Sequence, residues 1–107
     1  MARGFVKPAA RRDLVSHYVY LAESAGEATA DRFLVRIQAS VDELIDNPKI
    51  GTALVLRRPE LAGIRRWRVK EFDRYLIFYR PRVRGGVTIV RVLHAAQDWW
   101  GMLGFSE

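Results

Sequence analysis

The chain has 107 residues, half of them hydrophobic and 28% charged, with no cysteine and a formal net charge of +6. That length suits one domain with its own core, so residues 1–107 are expected to form a single unit, and apolar content of this order excludes a disordered chain. The lack of cysteine excludes a disulfide scaffold, a thiol nucleophile, Cys-ligated zinc and an iron–sulfur cluster, and no apolar run reaches the ~20 residues of a membrane span.

Phe5-Val6-Lys7 reads as a short opening strand stopped by Pro8. Residues 9–25 read as a helix, because Leu14, Tyr18, Leu21, Ala22 and Ala25 recur along one helical face. Gly26 breaks it. A second helix is expected from Glu27 to Asp46, with Ala30, Phe33, Leu34, Ile37, Val41, Leu44 and Ile45 at three-to-four spacing. Glu27 and Asp31 suit its positive end, and Asn47-Pro48 stops it. Two amphipathic helices joined at one glycine make an antiparallel hairpin, and their stripes read as core.

Residues 49–63 are irregular, and then the period becomes two. Ile64, Arg66, Arg68 and Lys70 fall on one side; Arg65, Trp67 and Val69 fall on the other. Trp67 reads as a residue closing the core edge. Tyr75 to Tyr79 is a strand ended by Pro81, Arg84-Gly85-Gly86 is a turn, and Val87 to His94 is the last strand. Asp98 could cap a final helical turn, Trp99 to Leu103. The expected fold is therefore α+β. A small antiparallel sheet, an opening strand plus a three-strand meander, is packed by the N-terminal helical hairpin on one face. The other face is expected to be open and lined by Arg66, Arg68 and Lys70.

The charge is segregated. Residues 1–56 are neutral overall, whereas residues 57–91 hold eleven bases, ten of them arginine, against Glu60, Glu71 and Asp73. Arginine's planar fork matches carboxylate and phosphate, so this segment points to an acidic macromolecular partner. Catalytic signatures are scarce. No spacing of His, Asp and Glu resembles a metal site, Gly85-Gly86 is a turn and not a phosphate loop, and no serine sits on an elbow. No cofactor is expected. His17 reads as a partly exposed helix residue. One enzymatic option survives, metal-free RNA cleavage on a basic sheet, in which arginines stabilise charge and His94 titrates. Its candidates are Arg66, Arg68, Lys70, Arg80, Arg91 and His94.

The motifs Ala10-Arg11-Arg12-Asp13-Leu14 with Tyr18, Asn47-Pro48-Lys49-Ile50-Gly51, Tyr75-Leu76-Ile77-Phe78-Tyr79-Arg80, and Ile89 through Asp98 together resemble the ParE branch of the RelE/ParE toxin superfamily. The resemblance covers nearly the whole chain, and Arg91-Val92-Leu93-His94 followed by Asp98 is its most specific part. It implies a cytoplasmic bacterial toxin of a type II toxin–antitoxin pair that blocks DNA gyrase. A ParD-like antitoxin with an acidic C-terminal segment would neutralise it in a hetero-oligomer. RelE-type relatives instead cut messenger RNA on the ribosome. They carry arginine just after the tyrosine of the second meander strand, arginine after the last strand, and often a later tyrosine; here those places hold Leu76, Gln97 and Leu103. The resemblance therefore implies the ParE reading over the nuclease. A plain nucleic-acid-binding module is the third alternative. The expected antitoxin contacts are Arg65, Arg66, Arg68 and Arg80. The expected gyrase contacts are His94, Asp98, Trp99 and Trp100.

Overall fold

In the computed structural model, which describes residues 3–55 and 58–97, the chain runs β1 (Gly4–Val6), α1 (Pro8–Ala25), α2 (Glu27–Asp46), β2 (Thr52–Ala53), β3 (Arg65–Val69), β4 (Phe72–Pro81) and β5 (Val87–His94), with a short 3-10 turn at Pro59–Leu61. Pro8 begins α1 instead of merely ending a strand. Its fixed φ and missing N–H suit the first helical turn. Gly26, at φ +95°, ends one helix and starts the next: its N–H bonds Ala22 O and its carbonyl accepts from Ala30.

The strands form one sheet in the order β1-β5-β4-β3-β2. From β5 through β4 and β3 to β2 each strand is antiparallel to its neighbour, but β1 lies parallel to β5, with Phe5 opposite Thr88. The sheet is therefore mixed and not purely antiparallel. The chain leaves β1, crosses the sheet as the helical hairpin, and returns through the meander, a connection long enough for the crossover that a parallel pair needs. The strand β2 falls in the segment expected to be irregular; two residues are too few to show a period.

Both helices pack on one face of the sheet. Phe33, Ile37, Val41 and Leu44 of α2 and Leu21 of α1 meet Val69, Tyr75, Ile77, Tyr79, Ile89 and Val92. The opposite face is not the open surface expected. A second cluster of Ile64, Leu76, Phe78 and Leu93 is buried there, with Leu54 and Leu61 from the 54–64 segment packed over it. This explains the unbroken apolar run in β4, a strand covered on both faces.

Two tethers fix the loop after α2. The Tyr79 hydroxyl donates to Pro48 O at 2.7 Å and accepts the Gly51 N–H at 2.9 Å. Arg65 donates to Lys49 O at 3.0 Å and to Gly51 O at 2.7 Å. At the β3–β4 turn, Glu71 sits at φ +70° and its carboxylate meets Arg36 of α2 at 2.6 Å.

Candidate interaction surfaces

Alternation along β3 decides which arginines can act together. Arg66 stands opposite Phe78 and Arg68 opposite Leu76, so both share the face away from the helices. Arg80, the next same-face position on β4, joins them, and its Nε–H donates to Ala62 O at 3.2 Å. Arg66 and Arg68, with Thr52 and Trp67, line a cavity of about 250 Å³ beside the short β2. Lys70 is exposed just beyond β3. Arg65 points the other way and is engaged by the two loop carbonyls already described. Three of the four expected antitoxin contacts thus lie on one face, and the fourth holds the loop on the other. Trp67 packs at the margin of the main core, and its indole N–H reaches Glu43 at 3.4 Å.

Arg91 is committed elsewhere. Its Nε–H and an Nη–H donate to the two carboxylate oxygens of Asp13, at 2.7 and 2.9 Å. The same carboxylate accepts the Val92 N–H at 3.0 Å. One turn along α1, His17 Nε2 lies 2.7 Å from Val92 O, which requires the proton on that nitrogen. Beyond the end of β1, α1 therefore replaces an edge strand, and Asp13 and His17 satisfy both main-chain groups of Val92. His17 is buried, contrary to the expectation of a partly exposed position. Hydrogen bonding to Asp13 drives Arg91 further toward its charged form.

His94 pairs with Tyr75 across β4 and β5, and so faces the helical side. Tyr75 stands between two imidazoles, with ring centroids 4.9 Å from both His17 and His94. His94 Nδ1 accepts the Ala96 N–H at 3.0 Å, and the main-chain N–H of His94 donates to Gln97 Oε1 at 2.6 Å. Burial first, then the Arg74 cation and His17, holds its pKa below the ordinary 6.5. Asp98, Trp99 and Trp100, and the expected turn that contains them, lie outside the described residues.

The six nuclease candidates, of which Lys70 is exposed just past β3, do not converge. Arg66, Arg68 and Arg80 lie on the face away from the helices, Arg91 is bound to Asp13, and His94 lies on the helical side. General acid–base chemistry needs its groups within hydrogen-bond reach of one phosphodiester, and the sheet stands between these. Among the described residues, no group of three or more potential metal ligands occurs.

The outer surface of the helical hairpin carries a feature that the periodicity reading missed. Leu14, Val15, Tyr18, Val19, Asp31 and Leu34 line an almost wholly apolar groove of about 270 Å³. Val15 is 59% exposed and Val35 62% exposed. Leu34, expected in the core, is exposed as well. The signal available was the second pair, Val15 and Val19, beside Leu14 and Tyr18: a stripe too wide for one buried face. The Tyr18 hydroxyl donates to Asp31 at 2.8 Å across the groove floor.

Comparison with known proteins agrees with this architecture. Residues 5–99 match the family described as the ParE toxin of the type II toxin–antitoxin system, parDE. The chain is 29% identical over 97 residues to Toxin ParE1 of two Mycobacterium tuberculosis strains, CDC 1551 / Oshkosh and H37Rv, covering 91% of this chain and 93% of each relative. Its fold is similar to a solved chain of the chromosomal ParDE TA system from P. aeruginosa, with a TM-score of 0.68 at 18% identity, covering 88% of this chain and 95% of that one.

Proposed function

From a chain that belongs to the ParE toxin family of type II toxin–antitoxin systems, we propose a growth-arresting inhibitor of DNA gyrase that a ParD-like antitoxin neutralises. The observation that carries the choice of inhibition over RNA cleavage is the separation of His94 from Arg66, Arg68 and Arg80 by the sheet. A toxin that works by occupying its target needs surfaces, and it needs no converging acid and base. The end of β5 at His94, leading into Asp98, Trp99 and Trp100, is the surface proposed for gyrase, since paired aromatics suit an interface hot spot.

The antitoxin's C-terminal segment engages two different chemistries. Its apolar side chains fill the hairpin groove at Val15, Val19 and Leu34. Its carboxylates meet Arg66, Arg68 and Arg80. A segment that folds on binding can span both sites.

Purified toxin, freed of antitoxin, is tested against gyrase supercoiling and against ribosome-dependent messenger cleavage. Loss of supercoiling with intact messenger is the expected result. Cut messenger with unaffected supercoiling overturns the reading in favour of the nuclease.

A further inference from the structure

A cavity of about 460 Å³ opens between α1 and the end of β5, lined by Ser16, His17, Tyr20, Tyr75, His94 and Gln97 among others. Its size falls within the roughly 300–1,000 Å³ of small-molecule sites. Its chemistry is unusual for so charged a chain, because among the described residues no carboxylate or cation lines it. It offers neutral hydrogen-bonding groups and aromatic walls instead.

Each lining group has a definable capacity. His94 Nδ1 is taken up by the Ala96 N–H, so the neutral ring keeps Nε2–H as its remaining donor. The Tyr75 ring is held edge-on between His17 and His94, and its hydroxyl stays protonated, its pKa raised by burial and then by Tyr20. Tyr20 is 62% exposed on α1 and offers its ring at the mouth. Ser16, one turn earlier, adds a hydroxyl.

Positive charge stands outside this neutral interior. Arg74 is exposed on β4, its carbonyl accepts the N–H of Ala95 beside His94 at 2.6 Å, and its cation acts electrostatically on His94. Arg12 is exposed one helical turn before Ser16, the spacing that makes helix positions neighbours. The acid between them in sequence, Asp13, is neutralised by Arg91.

A neutral, aromatic, hydrogen-bonding interior flanked by cations matches a planar heteroaromatic ring carrying an anionic tail. We propose that this cavity is a nucleotide site: the base stacks on Tyr20 and bonds to His94 and Ser16, and the phosphate faces Arg74 and Arg12. Both a free nucleotide and one unit of a single strand present that chemistry. The site lies on the helical side, apart from the Arg66 and Arg68 strip, and its occupancy does not depend on the gyrase reading.

The test uses the full chain, isotopically labelled, titrated with dAMP, deoxyadenosine, inorganic phosphate and a short oligo(dA) strand while amide and imidazole resonances are followed. Expected with dAMP are shifts at Ser16, Tyr20, His94 and Gln97, weaker binding of deoxyadenosine, and no shifts at these residues with phosphate alone. Tyr20→Ala, at an exposed position, should weaken dAMP on the order of tenfold, the loss of one stacking ring, and Arg74→Glu should weaken dAMP while sparing deoxyadenosine. Tighter oligo(dA) identifies a strand as the source; equal or weaker oligo(dA) identifies the free nucleotide. Absence of shifts, shifts confined to the Arg66 face, or dAMP affinity unchanged in both Tyr20→Ala and His94→Gln overturns the proposal.

Discussion

The Tyr79 hydroxyl and the Gly51 amide meet at 2.9 Å, and a Cβ added at Gly51 would lie 2.6 Å from that oxygen. The pair explains the spacing of Asn47-Pro48-Lys49-Ile50-Gly51. The hydroxyl bonds Pro48 O and Gly51 N–H together, and only glycine lets the loop approach so closely. Gly51→Ala should destabilise the fold by about 2–3 kcal/mol, because the nearest atoms are a buried ring and Arg66 O, neither free to move. Tyr79→Phe should cost about 1–2 kcal/mol for two hydrogen bonds whose loop partners become unpaired. Chemical denaturation of both single variants and the double variant checks this. The double should lose less than the two singles combined, because each removes the same contact.

Asp13 accepts three hydrogen bonds, two from Arg91 and one from the Val92 amide. Asp13→Ala should therefore cost about 3 kcal/mol, leaving a half-buried cation and a strand-edge N–H without their acceptor. Arg91→Ala should cost less, since Asp13 keeps the Val92 amide. Hydrogen exchange at Val92 separates the two. It should accelerate in Asp13→Ala well beyond any global loss of stability, and stay slow in Arg91→Ala.

His94 gives a pH dependence of determined sign. Its folded pKa lies below the ordinary 6.5, so the unfolded chain binds more protons between those two values. Its contribution to stability is present above about pH 6.5 and is lost as the pH falls through the folded pKa. The wild type should therefore lose stability on acidification from pH 7 faster than His94→Gln, with the difference between the two levelling off below the folded pKa. Parallel curves for the two proteins would contradict the shift.

Much of this architecture is visible in local pattern. Gly26 marks a helix end because glycine allows the φ of +95° that turns the chain off the helical path, Asn47-Pro48 marks another because proline lacks the N–H to continue, and period two on either side of Trp67 places Arg66 and Arg68 together. The same alternation already sets Arg65 apart from them, although charge alone groups all three. What local pattern cannot show is contact between distant residues. The Asp13 and His17 caps on Val92 join positions more than seventy apart, so His17 reads as a surface residue until α1 is laid along β5. Periodicity likewise identifies an apolar stripe without saying what covers it. For that reason Leu34 looks like core and proves to line an outer groove.

The groove and the arginine strip make separable contributions to antitoxin binding. Val19 is 48% exposed in the toxin alone, so Val19→Glu should leave its stability within about 0.5 kcal/mol of wild type. In the complex the same carboxylate would be buried among Val15, Tyr18 and Leu34, against Asp31. Affinity should fall at least tenfold, about 1.4 kcal/mol, at every salt concentration. Reversing Arg68, exposed on the far face, to Glu acts through Coulomb forces that salt screens over about 10 Å at 0.1 M. Its loss of affinity should be greatest in dilute buffer, shrink as salt rises, and appear chiefly in the association rate. Titration calorimetry across a salt series distinguishes the two surfaces: a salt-independent loss for Val19→Glu beside a salt-dependent loss for Arg68→Glu is the outcome expected of one segment gripping both. If Val19→Glu binds antitoxin like the wild type, the groove has no part in neutralisation.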